Sequence, residues 1–169
     1  MADRGETFDE FVARAAAPLA RTAVLLTGDR HLAEDLVQTA LAKAYLRWAR
    51  IDDPDAYVRR VLTTTYVTWW RRRWRGEQPA ETVPDTGRSD DHSGIDVRGP
   101  LYAVLRELPR RQRAVVVLRY FEDLSEAETA LALGCSVGTV KSQHARAMAR
   151  LRGSAALATL APADTGVVR

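Results

Sequence analysis

The sequence predicts an all-α protein built as two small helical domains joined by a flexible acidic linker. Apolar residues recur at helical spacing through residues 7–75 and again through 101–152, punctuated by helix start and stop signals. Between them runs GEQPAETVPDTGRSDDHSGIDVRG, residues 76–99, rich in Gly, Pro, Ser and Asp and without an apolar period. These 24 residues are too many for an ordinary loop in a compact domain. The charge follows the same division. Residues 1–75 hold 13 basic and 10 acidic groups, 76–99 hold 2 and 6, and 100–153 hold 9 and 5. The expected organisation is a first domain at 1–75, a linker at 76–99, a second domain at 100–153 and a frayed tail at 154–169. Each core is small and is expected to lean on a partner.

In the first domain, Thr7 with Glu10 reads as a capping box that starts a helix with Phe8, Phe11, Val12 and Ala15 on one face. Pro18 is expected to break or kink it. A second piece, Leu19 to Thr27, stops at Gly28. Asp29 can cap the next helix, about 30–49, in which Leu32, Leu36, Val37, Ala40, Leu41, Ala44, Tyr45 and Trp48 form an apolar stripe. Glu34, Asp35, Gln38 and Ala42 occupy the opposite face. Asp52-Asp53-Pro54-Asp55 restarts a helix, 54 to about 75, with an Asp cap, an early proline and an acid in the first turn. Val58, Val61, Leu62, Thr65, Tyr66 and Trp69 share one face of it. Arg59, Arg60, Thr63, Thr64, Thr68, Arg71, Arg72 and Arg75 lie largely elsewhere. Residues 56–75 hold six arginines and no acid. Such a face suits a phosphate backbone and exposed bases; the plainer reading is a solvated basic face. Trp69 and Trp70 are neighbours, so one belongs to the core and the other to a boundary.

In the second domain, Leu101, Val104, Leu105 and Leu108 set a first helix and Pro109 opens another, about 109–121. Its Ala-Val-Val-Val-Leu run also fits a strand, but the proline and the neighbouring helices favour a helix. Ser125 with Glu128 forms a second capping box before a short helix, 126–133, that ends at Gly134. Ser136 caps a last helix, about 137–152. Helix, tight glycine turn and basic helix form the arrangement that reads DNA. Val137, Val140, Ala147, Met148 and Leu151 are expected inward. Thr139, Ser142, Gln143, Arg146 and Arg150 are expected outward, with Lys141 and Ala145 at the margins. That face offers donors to guanine and adenine edges and to phosphates. A plain three-helix bundle is the bland alternative.

Composition narrows the function classes. No stretch approaches the roughly 18 consecutive apolar residues of a membrane span, so no membrane insertion is expected. The start, MADRGETFDEF, has no apolar leader core. One cysteine, Cys135, excludes an intramolecular disulfide framework. A cytoplasmic location is the simplest expectation. There is no Gly-rich phosphate loop, no Ser/His/Asp set and no His/Cys cluster, so no catalytic residue, metal or cofactor is expected. Cys135 reads as a small packing residue. The residues alone leave three classes open: a DNA-binding protein that uses both basic helices, a self-contained helix-turn-helix regulator, and a helical adaptor.

The stretches LLTGDRHLAEDLVQTALAKAYLRW (25–48), DPDAYVRRVLTTTYVTWWRRRWRGE (53–77) and LRELPRRQRAVVVLRYFEDLSEAETALALGCSVGTVKSQHARAMARLR (105–152), in this order and across an acidic linker, carry a resemblance. Over about residues 7–152 the chain resembles the extracytoplasmic-function sigma factors of bacterial RNA polymerase, particularly the actinobacterial type. The resemblance implies that residues 1–75 are sigma region 2 and 100–153 sigma region 4. It implies a promoter-specificity subunit, not an enzyme, that binds core RNA polymerase and promoter DNA; an anti-sigma factor is a further candidate partner. Glu34, Asp35 and Gln38 fall where such factors bind the clamp helices of the largest polymerase subunit. The 54–75 helix and the loop before it fall where the −10 element is melted and its bases are captured, which assigns Arg60, Thr63, Thr64, Arg71 and Arg72 to −10 DNA. Thr139, Lys141, Ser142, Gln143, Ala145 and Arg146 are assigned to −35 DNA. Two departures stand out. Many relatives carry an asparagine where this chain reads Thr63-Thr64-Thr65, and His144 occupies a position that is usually aliphatic.

Overall fold

The computed structural model describes residues 5–74 and 99–160, and among them it contains helices and no strand. The first half holds α1 (Phe8–Thr27), α2 (Arg30–Tyr45), a 3-10 turn (Trp48–Arg50) and α3 (Pro54–Trp74). The second holds α4 (Pro100–Arg106), α5 (Arg110–Tyr120), α6 (Glu126–Leu133), α7 (Val137–Arg152) and α8 (Ala155–Leu160). The linker expected at 76–99 lies outside the described residues except for Gly99, which caps α4.

Both capping boxes form. Thr7 Oγ1 accepts from the Glu10 amide at 3.3 Å while Glu10 Oε2 accepts from the Thr7 amide at 2.7 Å. Ser125 and Glu128 repeat the exchange at 3.1 and 2.7 Å. Pro18 does not break the first helix: α1 runs through it for 20 residues. The proline lies on the exposed side, where solvent can satisfy the carbonyl its missing N–H leaves free. The helix expected to 49 ends at Tyr45, and Trp48 instead sits in the 3-10 turn, its ring 5.2 Å from those of both Phe8 and Phe11.

The run read as either strand or helix is helix α5, buried continuously from Gln112 to Leu118. Its position explains the missing polar face. It packs on α6 and α7 on one side and on α1 of the first half on the other, and a helix covered all round is apolar all round. The two halves therefore share one buried cluster, from Phe11 and Leu26 through Leu62 to Val117, Val140 and Ala147. Polar contacts cross the seam as well. Thr22 donates to Glu122 Oε1 at 2.9 Å, Tyr102 donates to the Gly28 carbonyl at 2.8 Å, and the Arg111 guanidinium lies 5.3 Å from the Trp70 ring centre. Arg113 of α5 directs Nη2 at the Thr27 carbonyl, 3.4 Å away, and Arg71 of α3 directs Nη2 at the Leu133 carbonyl, 3.3 Å away, over Gly134.

The tail expectation for 154–169 needs correction over its first part. Ser154 is buried and accepts from the Leu157 amide at 3.2 Å, starting α8, which packs on α4. Residues 161–169 lie outside the described residues.

Candidate nucleic-acid interface

α6, the turn at Gly134 and α7 form the helix-turn-helix. Gly134 has φ +63°, a conformation that costs a side-chain-bearing residue about 1–2 kcal/mol. Ser136 then caps α7 by accepting from the Thr139 amide at 3.0 Å. Val140 and Ala147 anchor α7 to α5 and α6, with Met148 and Leu151 half-buried beside them. Val137, expected inward, is 39% exposed at the start of α7. The outer face has Lys141, Ser142, Ala145, Arg146 and Arg150 exposed, with Thr139 and Gln143 half-buried at its edge. Ser142 and Arg146 are one turn apart. The Ser142 hydroxyl donates to the Thr139 carbonyl at 3.0 Å, leaving its oxygen outward as an acceptor. Lys141 lies 3.7 Å from Glu126, an exposed ion pair worth at most about 1 kcal/mol and readily exchanged for a phosphate. His144 is half-buried, 2.9 Å from the Tyr120 hydroxyl and stacked on that ring. It braces α7 against α5 instead of facing outward.

On α3, Arg59, Arg60, Thr64, Thr68, Arg71 and Arg72 are exposed. Thr63 is not with them. It is 5% exposed, so its place on a DNA-facing surface is corrected. The cause is that α3 packs against α1, α2 and α6 together, and its buried side is broader than a single stripe. Thr64 donates to the Arg60 carbonyl at 2.9 Å, so its hydroxyl oxygen can only accept from outside. Trp69 packs against the core cluster, and Trp70 sits at the seam under Arg111.

Ahead of α3, Arg47, Arg50, Ile51, Asp52, Asp53, Ala56, Tyr57 and Arg60 line a cleft of about 570 Å³. The Arg60 guanidinium lies 5.7 Å from the Tyr57 ring centre. Asp53 spends one oxygen on the Ala56 amide, 3.0 Å away, as the cap of α3. Arginines around an aromatic ring suit an unstacked base and its phosphates. Sequence reasoning pointed to this loop but did not name Arg47, Arg50 or Tyr57. The signal was available, since four arginines and a tyrosine bracket Asp52-Asp53-Pro54 within residues 47–60.

On α2, Asp35 and Gln38 are exposed and Glu34 is half-buried, opposite the buried Leu36, Val37, Ala40 and Ala44. This face differs in character from the arginine-bearing ones, since Glu34 and Asp35 make it acidic. The structure thus distributes the sequence-derived residues over three helices, α2, α3 and α7. Burial pushes the Cys135 thiol above its ordinary value despite Arg111 and Arg71 nearby, so it stays protonated at neutral pH. No group of His, Cys, Asp and Glu among the described residues could hold a metal, and no described helix is long and apolar enough to cross a membrane.

Comparison with known proteins shows the family of the chain that carries these surfaces. Residues 11–76 match the family described as Sigma-70 region 2, and residues 98–151 match Sigma-70, region 4. The RNA polymerase sigma-E factor of Streptomyces coelicolor is 47% identical over 148 residues, covering 86% of this chain and 84% of that protein. The ECF RNA polymerase sigma factor SigL of Mycobacterium tuberculosis is 32% identical over 145 residues, covering 81% and 82%. Among solved structures, the sigma factor RpoE in complex with the anti-sigma factor NepR from Bartonella quintana has the same fold, with a TM-score of 0.60 at 24% identity over 92% of this chain and 98% of that one. CnrH, solved with the cytosolic domain of CnrY, gives 0.53 at 25% identity, covering 86% and 85%. Two sigma-70 regions in order, and relatives matched over most of their length, make this chain a member of the extracytoplasmic-function RNA polymerase sigma factors, the promoter-recognising subunits of the polymerase.

Proposed function

We propose that this sigma factor divides its work among the three surfaces. The α2 face, through Glu34, Asp35 and Gln38, docks on the clamp helices of the largest subunit of core RNA polymerase. The exposed side of α3, through Arg60, Thr64, Arg71 and Arg72, with the Arg47–Tyr57–Arg60 cleft, holds the −10 element as it opens. The outer face of α7, through Lys141, Ser142, Gln143, Ala145 and Arg146 with Thr139 at its start, reads the −35 duplex in the major groove. The observation that carries this is the pairing of a capped helix-turn-helix with a separate arginine-rich helix that has no acid after its first turn: two unlike DNA surfaces on one chain. The protein makes and breaks no covalent bond and works in the cytoplasm, where the polymerase is. An anti-sigma factor that covers α2 or the seam fits the same layout. The boundaries 1–75 and 100–153, joined by 76–99, complete the reading, and limited proteolysis is expected to cut between Gly76 and Gly99.

The deciding experiment adds the purified chain to sigma-free core polymerase and measures initiation on a promoter library. Initiation at a restricted set of promoters is expected; DNA binding without initiation would make the chain a self-contained regulator. Changing Glu34 and Asp35 together to alanine tests the docking face. Folding should change by no more than about 0.5 kcal/mol, while core affinity drops through lost charge complementarity. Unchanged assembly with core polymerase would remove α2 from the interface.

A further inference from the structure

One contact of α7 leads away from its outer face. His144 lies about 60° around the helix from Lys141, on the edge of the packed side, and is half-buried. Its Nε2 is 2.9 Å from the Tyr120 hydroxyl, and the two rings stack with centroids 5.8 Å apart and 24° between their planes. Tyr120 is the last residue of α5 and is 57% exposed. Its neighbours hold it firmly. Phe121 donates its amide to the Val117 carbonyl at 2.9 Å, and Arg119 donates to the Leu124 carbonyl at 2.5 Å, which ties down the turn after α5. An exposed phenol is thus fixed beside α7, and it belongs to none of the three surfaces above.

An α-helix with its side chains is about 10–12 Å across, and the major groove is about 12 Å wide. A helix seated there has a phosphate backbone along each flank. Groups beside the helix then meet phosphates, while its outward side chains meet base edges. Tyr120 stands beside α7, and a tyrosine hydroxyl is one of the groups that bond phosphates. The hydroxyl has one hydrogen and two acceptor lone pairs. That hydrogen goes to His144 Nε2 or outward, never to both, and an anionic phosphate oxygen is the stronger acceptor. Histidine suits the exchange, because a neutral imidazole carries its hydrogen on either ring nitrogen. With the hydrogen on Nδ1, Nε2 accepts from Tyr120. With it on Nε2, Nε2 donates to the Tyr120 oxygen. The bond between the two residues survives while the phenol hydrogen turns to DNA. The ring charge is unchanged: one proton leaves Nδ1 to water and one reaches Nε2 from water.

We propose that Tyr120 contacts the DNA backbone beside the −35 element and that His144 is its positioning residue. The proposal rests on the −35 reading of α7 above and adds a phosphate anchor supplied from α5, outside the reading helix. Such an anchor fixes how α7 lies in the groove and does not choose among bases. The phenol supplies the bond. The imidazole holds the ring by stacking and donates Nε2–H, which polarises the phenol O–H and leaves its hydrogen for the phosphate.

The test uses the full chain assembled on core polymerase and the promoter that the parent prefers in the library experiment above. Binding is measured on that duplex and on duplexes in which one phosphate of the −35 region at a time, on either strand, is a neutral methylphosphonate. Tyr120→Phe keeps the ring and its stacking and loses only the hydroxyl. It should weaken binding about tenfold, as loss of a hydrogen bond to a charged group would, with the order of preference among promoters unchanged. At one phosphate, neutralisation should cost the parent more than it costs Tyr120→Phe; at the others the two should lose alike. His144→Leu, which fills the same side of α7 without a donor, should weaken binding about threefold and shrink that single-phosphate difference. His144→Gln, which can both accept and donate, should restore it. Binding by Tyr120→Phe as tight as the parent's, or a loss with no single phosphate behind it, would overturn the proposal. A weakened His144→Leu that keeps the single-phosphate difference intact would overturn the role of His144. A parent that assembles with core polymerase but prefers no promoter overturns the −35 reading, and this proposal with it, before any variant is measured.

Discussion

The two helices proposed to face DNA, α3 and α7, present similar residues in different settings. α7 is pinned along one side by Val140 and Ala147 and presents short, varied groups, Ser142 and Ala145, around one long donor, Arg146. α3 is buried over a wider arc and concentrates arginines at its exposed end, with the threonine hydroxyls of Thr64 and Thr68 turned back on their own helix. A rigid helix with varied short groups can discriminate between base edges. A dense set of like cations holds a backbone whatever its sequence. The contrast teaches that basic charge alone does not distinguish reading from holding; the variety and rigidity of the neighbours do.

The comparison is broken most directly at Arg146. Arg146→Ala should cost about 1–3 kcal/mol at promoters with the preferred −35 sequence and relax the choice at one or two positions, as loss of a bidentate base contact would. A promoter-library transcription assay measures it. Arg72→Ala should weaken most promoters alike and lower the slope of log affinity against log salt by about one unit, read from binding at several salt concentrations. If Arg146→Ala lowers every promoter equally while Arg72→Ala alters −35 preference, the roles are reversed. Thr64→Asn should move folding by no more than about 0.5 kcal/mol. It replaces a hydroxyl tied to the Arg60 carbonyl with an amide that reaches outward, so the shift should appear as a change in −10 preference within the same library.

The smallest effect is common to both halves. Backbone and hydroxyl hydrogen bonds at Thr7 hold the Glu10 carboxyl below its ordinary value, and the hydroxyl and backbone of Ser125 do the same for Glu128. A depressed carboxylate lends stability that is present above the unfolded pKa, about 4.3, and lost as pH falls through the folded value. Unfolding followed from pH 6 to 3 should show this loss, and Thr7→Ala or Ser125→Ala should flatten it. An equal acid response in the two halves would show that the contrast between α3 and α7 is one of surface chemistry, not of how their domains are started.

What was legible in the sequence was mostly local. The capping boxes, the Asp and Ser caps and the two terminal glycines depend on neighbours three or four residues away, and they mark helix ends well. The break expected at Pro18 does not occur, because the proline's tolerance depends on facing water, which a motif does not reveal. Thr63 was misassigned because α3 packs against several helices, and its buried side is broader than the single apolar stripe a periodicity reveals. The seam was hidden because its two sides lie on opposite sides of the linker. Arg113 reads as one more surface cation among the arginines that open α5, and only the fold brings it to Thr27. The continuous Ala-Val-Val-Val-Leu run was the one visible hint that α5 is covered from both halves.

The fit of Arg71 over Gly134 also carries an evolutionary consequence. Alanine at 134 in the present chain must adopt a left-handed backbone and displace the guanidinium that occupies its Cβ position. Where residue 71 is already short, only the backbone cost of about 1–2 kcal/mol remains. The guanidinium is the free end of a flexible side chain, so it yields without a clash, but its bond to Leu133 goes with it. The two positions, far apart in sequence and on opposite sides of the linker, are therefore epistatic: the effect of changing one depends on the residue at the other, and a lineage that loses the glycine has little left to gain by keeping that arginine as a helix cap.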